Sequence, residues 1–397
     1  MNIYTRKVVK TSRRLLPLLD DSVFRRFFSE QSEQSSEQVQ RSLGSGVIIR
    51  SDGIIVTNHR VVKDSDVVTV VLYDRREYDA FLLGSDERTD LAVIKITSRN
   101  ETFPALGMGD SDALEVGDLV LAIGNPFWVG QTVTSGIVSA VARTSVGISD
   151  YRFFIQTDTA INPGNSDGAL VTMDGRLAGI NTAIYSRDGG NIGIGFAVPA
   201  NMVQVVVETI LTQGRTVRPW VSIAGDGLTQ EAADSLGLRT PNGVLVTSVH
   251  RGSPGEVAGL RPGDVVLSIN DHAMADVESL RYRLATLPLV STALLKVFRA
   301  GSIRSVNLKL SAPPETPPRD VAELKGRTPF SGATVANLNP ALAEELGLDF
   351  NGNGVIVIQI RCRTPAESVS LRPGDIIALR RLMGAAANGW RIALRRG

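Results

Sequence analysis

The chain has 397 residues, with 42 Lys+Arg against 41 Asp+Glu, a formal net charge of +1, three His and one Cys. At about 100–200 residues per domain this length implies two to four domains, and the near-neutral balance argues against a general nucleic-acid binder. A single cysteine, Cys362, excludes an internal disulfide and a thiolate metal cluster, and any imidazole chemistry must come from His59, His250 or His272.

The N-terminal stretch MNIYTRKVVKTSRRLLPLLDD is basic, and its apolar residues 15–19 are interrupted by a proline. It lacks the roughly 7–15 apolar residues of a secretory signal, and no run of about 18 apolar residues could span a membrane. Taken literally, the chain is cytoplasmic. Residues 29–38, SEQSEQSSEQ, hold only Ser, Glu and Gln, a composition that predicts a mobile loop, with order beginning at about Leu43. From there to Pro199 the apolar runs are short and β-rich (GVIIR, GIIVTN, VVTVVLY, LAVIKI, LVLAIG, FFIQT, GALVT, LAGINTAI, IGFAV) and are punctuated by Gly, Asp and Asn. That spacing predicts an all-β barrel or sandwich. ANMVQVVVETILTQ (200–213) has helical spacing, with Met202, Val205, Val206, Ile210 and Leu211 apolar and Gly214 as the stop.

Beyond residue 215 the chain repeats. GVLVTSVHRGSPGEVAGLRPGDVV from Gly243 returns as GVIVIQIRCRTPAESVSLRPGDII from Gly354, and AADSLGL (232–238) returns as LAEELGL (342–348). A period near 110 residues is too long for a solenoid and indicates a duplicated domain. SAPPETPPRD (311–320) between the copies is a stiff, Pro-rich linker. The second copy runs 22 residues past its LRPGD aspartate, Asp375, where the first runs 37 to Gly301, so it is expected to lose a core strand and fold poorly.

The segment TAINPGNSDGAL (159–170) places Ser166 in a tight polar turn between two apolar runs. A nucleophilic serine needs such a turn, because the oxyanion formed opposite its Oγ must meet preorganised N–H donors. Here these would be Gly164, Asn165 and Ser166; a plain polar turn is the alternative. A serine nucleophile also needs a base and an orienting group. Asp90, in TDLAVIKI, and His59, in IIVTNHRVV, are the candidates, although either could be an ordinary turn or surface residue. His250, His272 and Cys362 lack partners for a metal or a reactive thiol.

Together, RSLGSGVII, DGIIVTN, DERTDLAVIKI, AIGNPFWVGQTVTSGIVSAVAR, QTDTAINPGNSDGALV, GRLAGINTAI and GIGFAVPANMV resemble the HtrA/Deg family of trypsin-like serine proteases with PDZ domains. The resemblance covers nearly the whole chain. It implies a mainly β protein: a trypsin-like double β-barrel followed by two PDZ-type α+β domains, the second truncated. The implied segments are a shortened N-terminal region and mobile loop (1–42), the protease domain (43–214), a first PDZ domain (215–312), the linker (313–325) and an incomplete second PDZ domain (326–397). It also implies ATP-independent endopeptidase activity on unfolded proteins, no cofactor or metal, possible homotrimers and a periplasmic setting. Pro219, Trp220, Val221, Ser222 and Ile223 would form the loop that captures apolar C-terminal peptides. Loop 188–198 would flank the pocket for a small aliphatic side chain, and 124–132, with Trp128 where the family has a small residue, would be a mobile activation loop.

The chain departs from the family at the chemistry. The histidine slot of the family's T-N-x-H-V pattern holds Arg60, and His59 stands one position early. Arginine has no acceptor and cannot take a proton from serine, though it could pair with Asp90. Asp167 replaces the first glycine of G-N-S-G-G and brings negative charge toward a developing oxyanion. These departures suggest a crippled protease, or a non-catalytic chaperone or peptide-binding pseudoprotease.

Overall fold

A computed structural model describes residues 1–9, 38–125, 131–143, 153–161, 165–184, 193–348, 354–381 and 390–395. The chain forms two compact units, Met1–Val217 and Arg218–Gly397.

The first unit opens with strands β1 (Asn2–Val9), β2 (Gln38–Ser45), β3 (Val47–Arg50) and β4 (Ile54–Thr57), the one-turn helix α1 (His59–Val62), and strands β5 (Val67–Val71), β6 (Glu77–Asp86) and β7 (Leu91–Ile96). They form one sheet in the order β2-β1-β5-β6-β7-β4-β3. Its core draws Ile3 from β1, Ile55 from β4, Val70 from β5 and Ile94 from β7, so the sheet curls around a common interior. β4 and β7 are buried along almost their whole length, which is why IIVT and LAVIKI read as continuous apolar runs. The expectation that order starts at about Leu43 is corrected here. β1 pairs with β2 on one side and β5 on the other, and Ile3 is fully buried. A period-two pattern explains it, with Ile3 and Thr5 buried and Arg6 exposed. Of the Ser/Glu/Gln stretch, only Gln38 lies within the described residues.

Strands β8 (Leu119–Gly124), β9 (Thr132–Arg143), β10 (Phe154–Thr157), β11 (Ala169–Thr172), β12 (Leu177–Ile184) and β13 (Gly195–Pro199) close into a barrel in the order β10-β13-β12-β11-β8-β9. Helix α2 (Ala200–Gln213) follows and buries Met202, Val203, Val206, Val207 and Ile210. It ends at Gly214 in the left-handed conformation, as the stop signal requires.

In the second unit, β14 (Ile223–Gly227), α3 (Gln230–Leu236), β15 (Val244–Val249), α4 (Pro254–Val257), β16 (Val265–Ile269), β17 (His272–Ala273), α5 (Val277–Ala285), β18 (Thr292–Arg299) and β19 (Ser302–Lys309) make the first copy, with sheet order β14-β15-β16-β18-β19. The second copy holds β20 (Ala322–Glu323), β21 (Ala333–Leu338), α6 (Pro340–Glu345), β22 (Gly354–Ile360), α7 (Pro365–Ser368), β23 (Ile376–Arg381) and β24 (Trp390–Arg395), ordered β20-β21-β22-β23-β24. The repeated LRPGD turns have one mechanism. Asp264 accepts the Arg261 N–H at 2.8 Å, and Asp375 accepts the Arg372 N–H at 2.8 Å. The second copy is better built than its length suggests. β24 pairs with β23 over six residues, and two apolar clusters form among the described residues of the domain. Among the described residues it has no counterpart of α5 or β19.

Candidate functional site

Asp90, Arg60 and Asp167 meet where the two barrels of the first unit come together. Asn58 ends the turn after β4 and leads into α1, and its side-chain amide donates to the Asp90 carbonyl at 2.7 Å. The His59 N–H donates to the same carbonyl at 3.0 Å. These bonds lock the start of α1 onto the turn before β7, where Asp90 takes a left-handed conformation (φ 56°).

Arg60, the next residue, occupies the centre. Its backbone N–H donates to Asp90 Oδ1 at 3.2 Å and its Nη1 pairs with Asp90 Oδ2. Nη1 also reaches Thr182 Oγ1 at 3.2 Å, while Nη2 donates to Asn58 Oδ1 at 2.8 Å and to Asp167 Oδ1 at 2.5 Å. Thr182 donates its hydroxyl to Asp90 Oδ2 at 2.9 Å. One guanidinium thus bridges two carboxylates and stitches the first barrel to the second.

His59 faces a different environment. Both ring nitrogens are shielded from solvent, and among the described residues neither has a hydrogen-bond partner. The structure therefore joins the Asp90 carboxylate to Arg60 and leaves the His59 ring bonded neither to Asp90 nor to Ser166. A one-residue offset at the head of a helix is enough for this, because successive side chains there point about 100° apart.

Ser166 lies half-buried in the turn between β10 and β11, with Asn165 buried before it. Asn165 donates its amide to the Ala160 carbonyl at 2.8 Å, and its own carbonyl accepts from Asn181 Nδ2 at 3.2 Å and the Gly168 N–H at 3.3 Å. Gly164, the third expected oxyanion donor, lies outside the described residues, as do 126–130 with Trp128 and 185–192. Gly168 keeps the family glycine for a steric reason: a Cβ there would come within 2.1 Å of the Ile123 carbonyl oxygen.

Asp167 adopts the left-handed conformation (φ 69°) that a glycine would favour, and its N–H donates to the Asn181 carbonyl at 2.8 Å. Its carboxylate turns to Arg60 and is nearly buried, with 8% of the side chain exposed. Burial pushes its pKa up to about 6; Arg60 and the Ser45 N–H act in the opposite direction, while Asp90 adds to the rise. The sequence suggested a stray charge beside the oxyanion. The structure shows the partner that absorbs it, and adds Thr182 and Asn58 to the constellation.

The loop 219–223 leads into β14. Trp220 bonds through its N–H to the Ser311 carbonyl at 2.8 Å and stacks edge-on with His250, their centroids 6.0 Å apart. Val221 is buried in the domain core, Ser222 turns the chain at φ 53°, and Ile223 opens β14 at the sheet edge. α5 packs beside β14. Among the described residues no cluster could hold a metal ion, and no helix is long and apolar enough to cross a membrane.

Residues 44–180 match the trypsin-like peptidase domain, and 190–310 match the PDZ domain. The PDZ match begins at residue 190, ahead of β13 and α2, both of which belong to the first unit, whereas the PDZ sheet itself starts at Ile223. A probable periplasmic serine endoprotease DegP-like of Chlamydia muridarum is 38% identical over 361 residues, 90% of this chain and 71% of that protein. The periplasmic serine endoprotease DegP of Escherichia coli is 41% identical over 342 residues, 86% of this chain and 69% of that one. Among solved structures, the HtrA-type protease AlgW with decapeptide aligns with a TM-score of 0.58 and 43% identity, covering 79% of this chain and 95% of that one.

Proposed function

Because the chain belongs to the DegP/HtrA family of trypsin-like serine endoproteases, we propose that it is a catalytically silenced member that captures unfolded proteins and apolar C-terminal peptides. The observation that carries this reading is the grip of Arg60 on Asp90 and Asp167. In the acyl-transfer mechanism of this fold, Ser166 would attack a peptide carbonyl while an imidazole, oriented by Asp90, takes the Oγ proton. A guanidinium occupies that place, has no lone pair to receive a proton, and engages the carboxylate meant to orient the base. Losing the base from such a triad lowers kcat by about 10⁴–10⁶-fold.

Two further features support capture. β14 ends its sheet, so an extended peptide can add along it as another strand, with the loop 219–223 receiving the terminal carboxylate. The relatives are named periplasmic, the compartment in which such capture would operate.

The test has two arms. The natural chain should leave casein uncut at the rate of its Ser166→Ala variant, yet suppress aggregation of a chemically unfolded protein. The pair Arg60→His with Asp167→Gly should cleave casein, and Arg60→His alone should do little, because Asp167 would hold the new imidazole protonated. Family-like cleavage by the natural chain, abolished by Ser166→Ala, sinks the silenced reading. Failure to suppress aggregation sinks the capture role.

A further inference from the structure

The two PDZ copies differ at one edge, and the difference lies in the linker. In the first copy β14 ends its sheet. In the second, the equivalent strand β21 is covered by β20, with Ala322 opposite Val335 and Glu323 opposite Thr334 in antiparallel register. The ladder extends beyond this pair. The Leu324 N–H donates to the Ala333 carbonyl at 2.8 Å, the Gly332 N–H to the Leu324 carbonyl at 2.8 Å, and the Asn337 N–H to the Arg319 carbonyl at 2.7 Å. Residues 319–324 therefore run along β21 in the manner of an added peptide strand.

Side chains fix the segment at both ends. Asn337 donates to the Pro318 carbonyl at 2.9 Å, and Asn339 to the Pro317 carbonyl at 2.7 Å and Glu315 at 3.0 Å. Arg319 bridges Glu315 and Glu345, each at 2.8 Å, and Glu323 meets Arg361 at 2.8 Å. Leu324 packs on the cluster of Ala333, Val335, Val357, Ala366 and Leu371. Val246 and Leu260, the first-copy counterparts of Val357 and Leu371, instead share a cluster with Leu280 and Leu284 of α5. Leu324 thus supplies apolar contact that the first copy draws from a helix.

The anchoring residues are specific to the second copy. Aligned at an offset of 110, Asn337 and Asn339 stand where the first copy has Gly227 and Thr229. Thr229 caps its helix by accepting the Ala232 N–H, as Asn339 does for Leu342, but only the asparagine has an amide left to donate to the linker.

We propose that residues 319–324 are a built-in ligand of the second PDZ copy, occupying its strand-addition edge and reserving capture of outside peptides to the first. This rests on the reading of β14 as a peptide-capture edge. Hydrogen-exchange mass spectrometry and titration with a fluorescein-labelled peptide ending in apolar residues, both on the full chain, test it. The natural chain should protect the amides of Leu324 and Asn337 and take one peptide without losing that protection. The double variant Asn337→Gly, Asn339→Thr should lose the protection and gain a second peptide site. Unprotected linker amides, a second site in the natural chain, or a freed linker with no second site each overturns the proposal. If the natural chain takes no peptide at all, the capture reading fails, while the exchange arm still decides whether the linker is docked.

Discussion

Removing Arg60 and removing Asp167 should have unequal effects, and the inequality follows from their exposure. The Arg60 side chain keeps 43% of its surface in solvent, whereas Asp167 keeps 8%. Arg60→Met leaves Asp167 buried with the Ser45 N–H to offset its charge, and leaves Asp90 with the Thr182 hydroxyl and the backbone N–H of residue 60. Breaking a fully buried pair from one side costs about 3–5 kcal/mol, and one hydrogen bond to a charged group is worth about 1.5–3. Here one partner is half in water and the stranded carboxyl can take up a proton, so the lower end applies, about 2–3 kcal/mol. Asp167→Gly leaves Arg60 with Asp90, Asn58 and water, and also relieves a left-handed conformation worth about 1 kcal/mol. Its cost should lie below about 1 kcal/mol. The double variant should be more stable than Arg60→Met alone, giving a coupling of about 1–2 kcal/mol. Urea titrations read by pulsed hydrogen exchange on peptides from β4 and β11 score the protease domain alone. Additive effects, or a larger loss from Asp167→Gly than from Arg60→Met, would refute the reasoning.

Other expectations concern stability and folding. The folded pKa of Asp167 is raised to about 6 from 3.8, so the folded state holds this proton more tightly than the unfolded chain. Relative to Asp167→Asn, the natural chain should lose about 3 kcal/mol as pH climbs from about 4 to about 6, and change little above 7; a difference curve that is flat or rises would exclude the assignment. Gly168→Ala should collapse the serine turn by driving a methyl into the Ile123 carbonyl, with a loss of at least about 3 kcal/mol in the second barrel by the same exchange assay. Asp264→Ala should abolish peptide binding by unfolding the first PDZ domain, since Asp264 is buried and bound at 2.6 Å by both Nε and Nη2 of Arg299; about 3–5 kcal/mol is expected, read by far-ultraviolet circular dichroism and the peptide titration.

Local signals made much of this legible. The LRPGD repeat could be read as a duplicated domain because Asp264 and Asp375 act within three residues of their partners. IIVT and LAVIKI announced buried strands by composition, and the offset of His59 from its slot could be counted along the chain. What escaped depended on contacts distant in sequence. Arg60 and Asp167 are 107 residues apart and meet only when the two barrels close. Read singly, one looked like a lost base and the other like a misplaced charge; folded, each answers the other. β1 was missed because basic residues obscured the alternation of Ile3 and Thr5. β24 was missed because WRIALR does not resemble the strand it replaces.

The central proposal is that no imidazole base serves Ser166. Reaction of the natural chain with a fluorophosphonate, followed by intact mass, measures this directly, since phosphonylation requires the activated hydroxyl and not a good protein substrate. The account predicts no more adduct than in Ser166→Ala, and labelling of Ser166 once Arg60→His and Asp167→Gly are combined. Rapid labelling of Ser166 in the natural chain would contradict it.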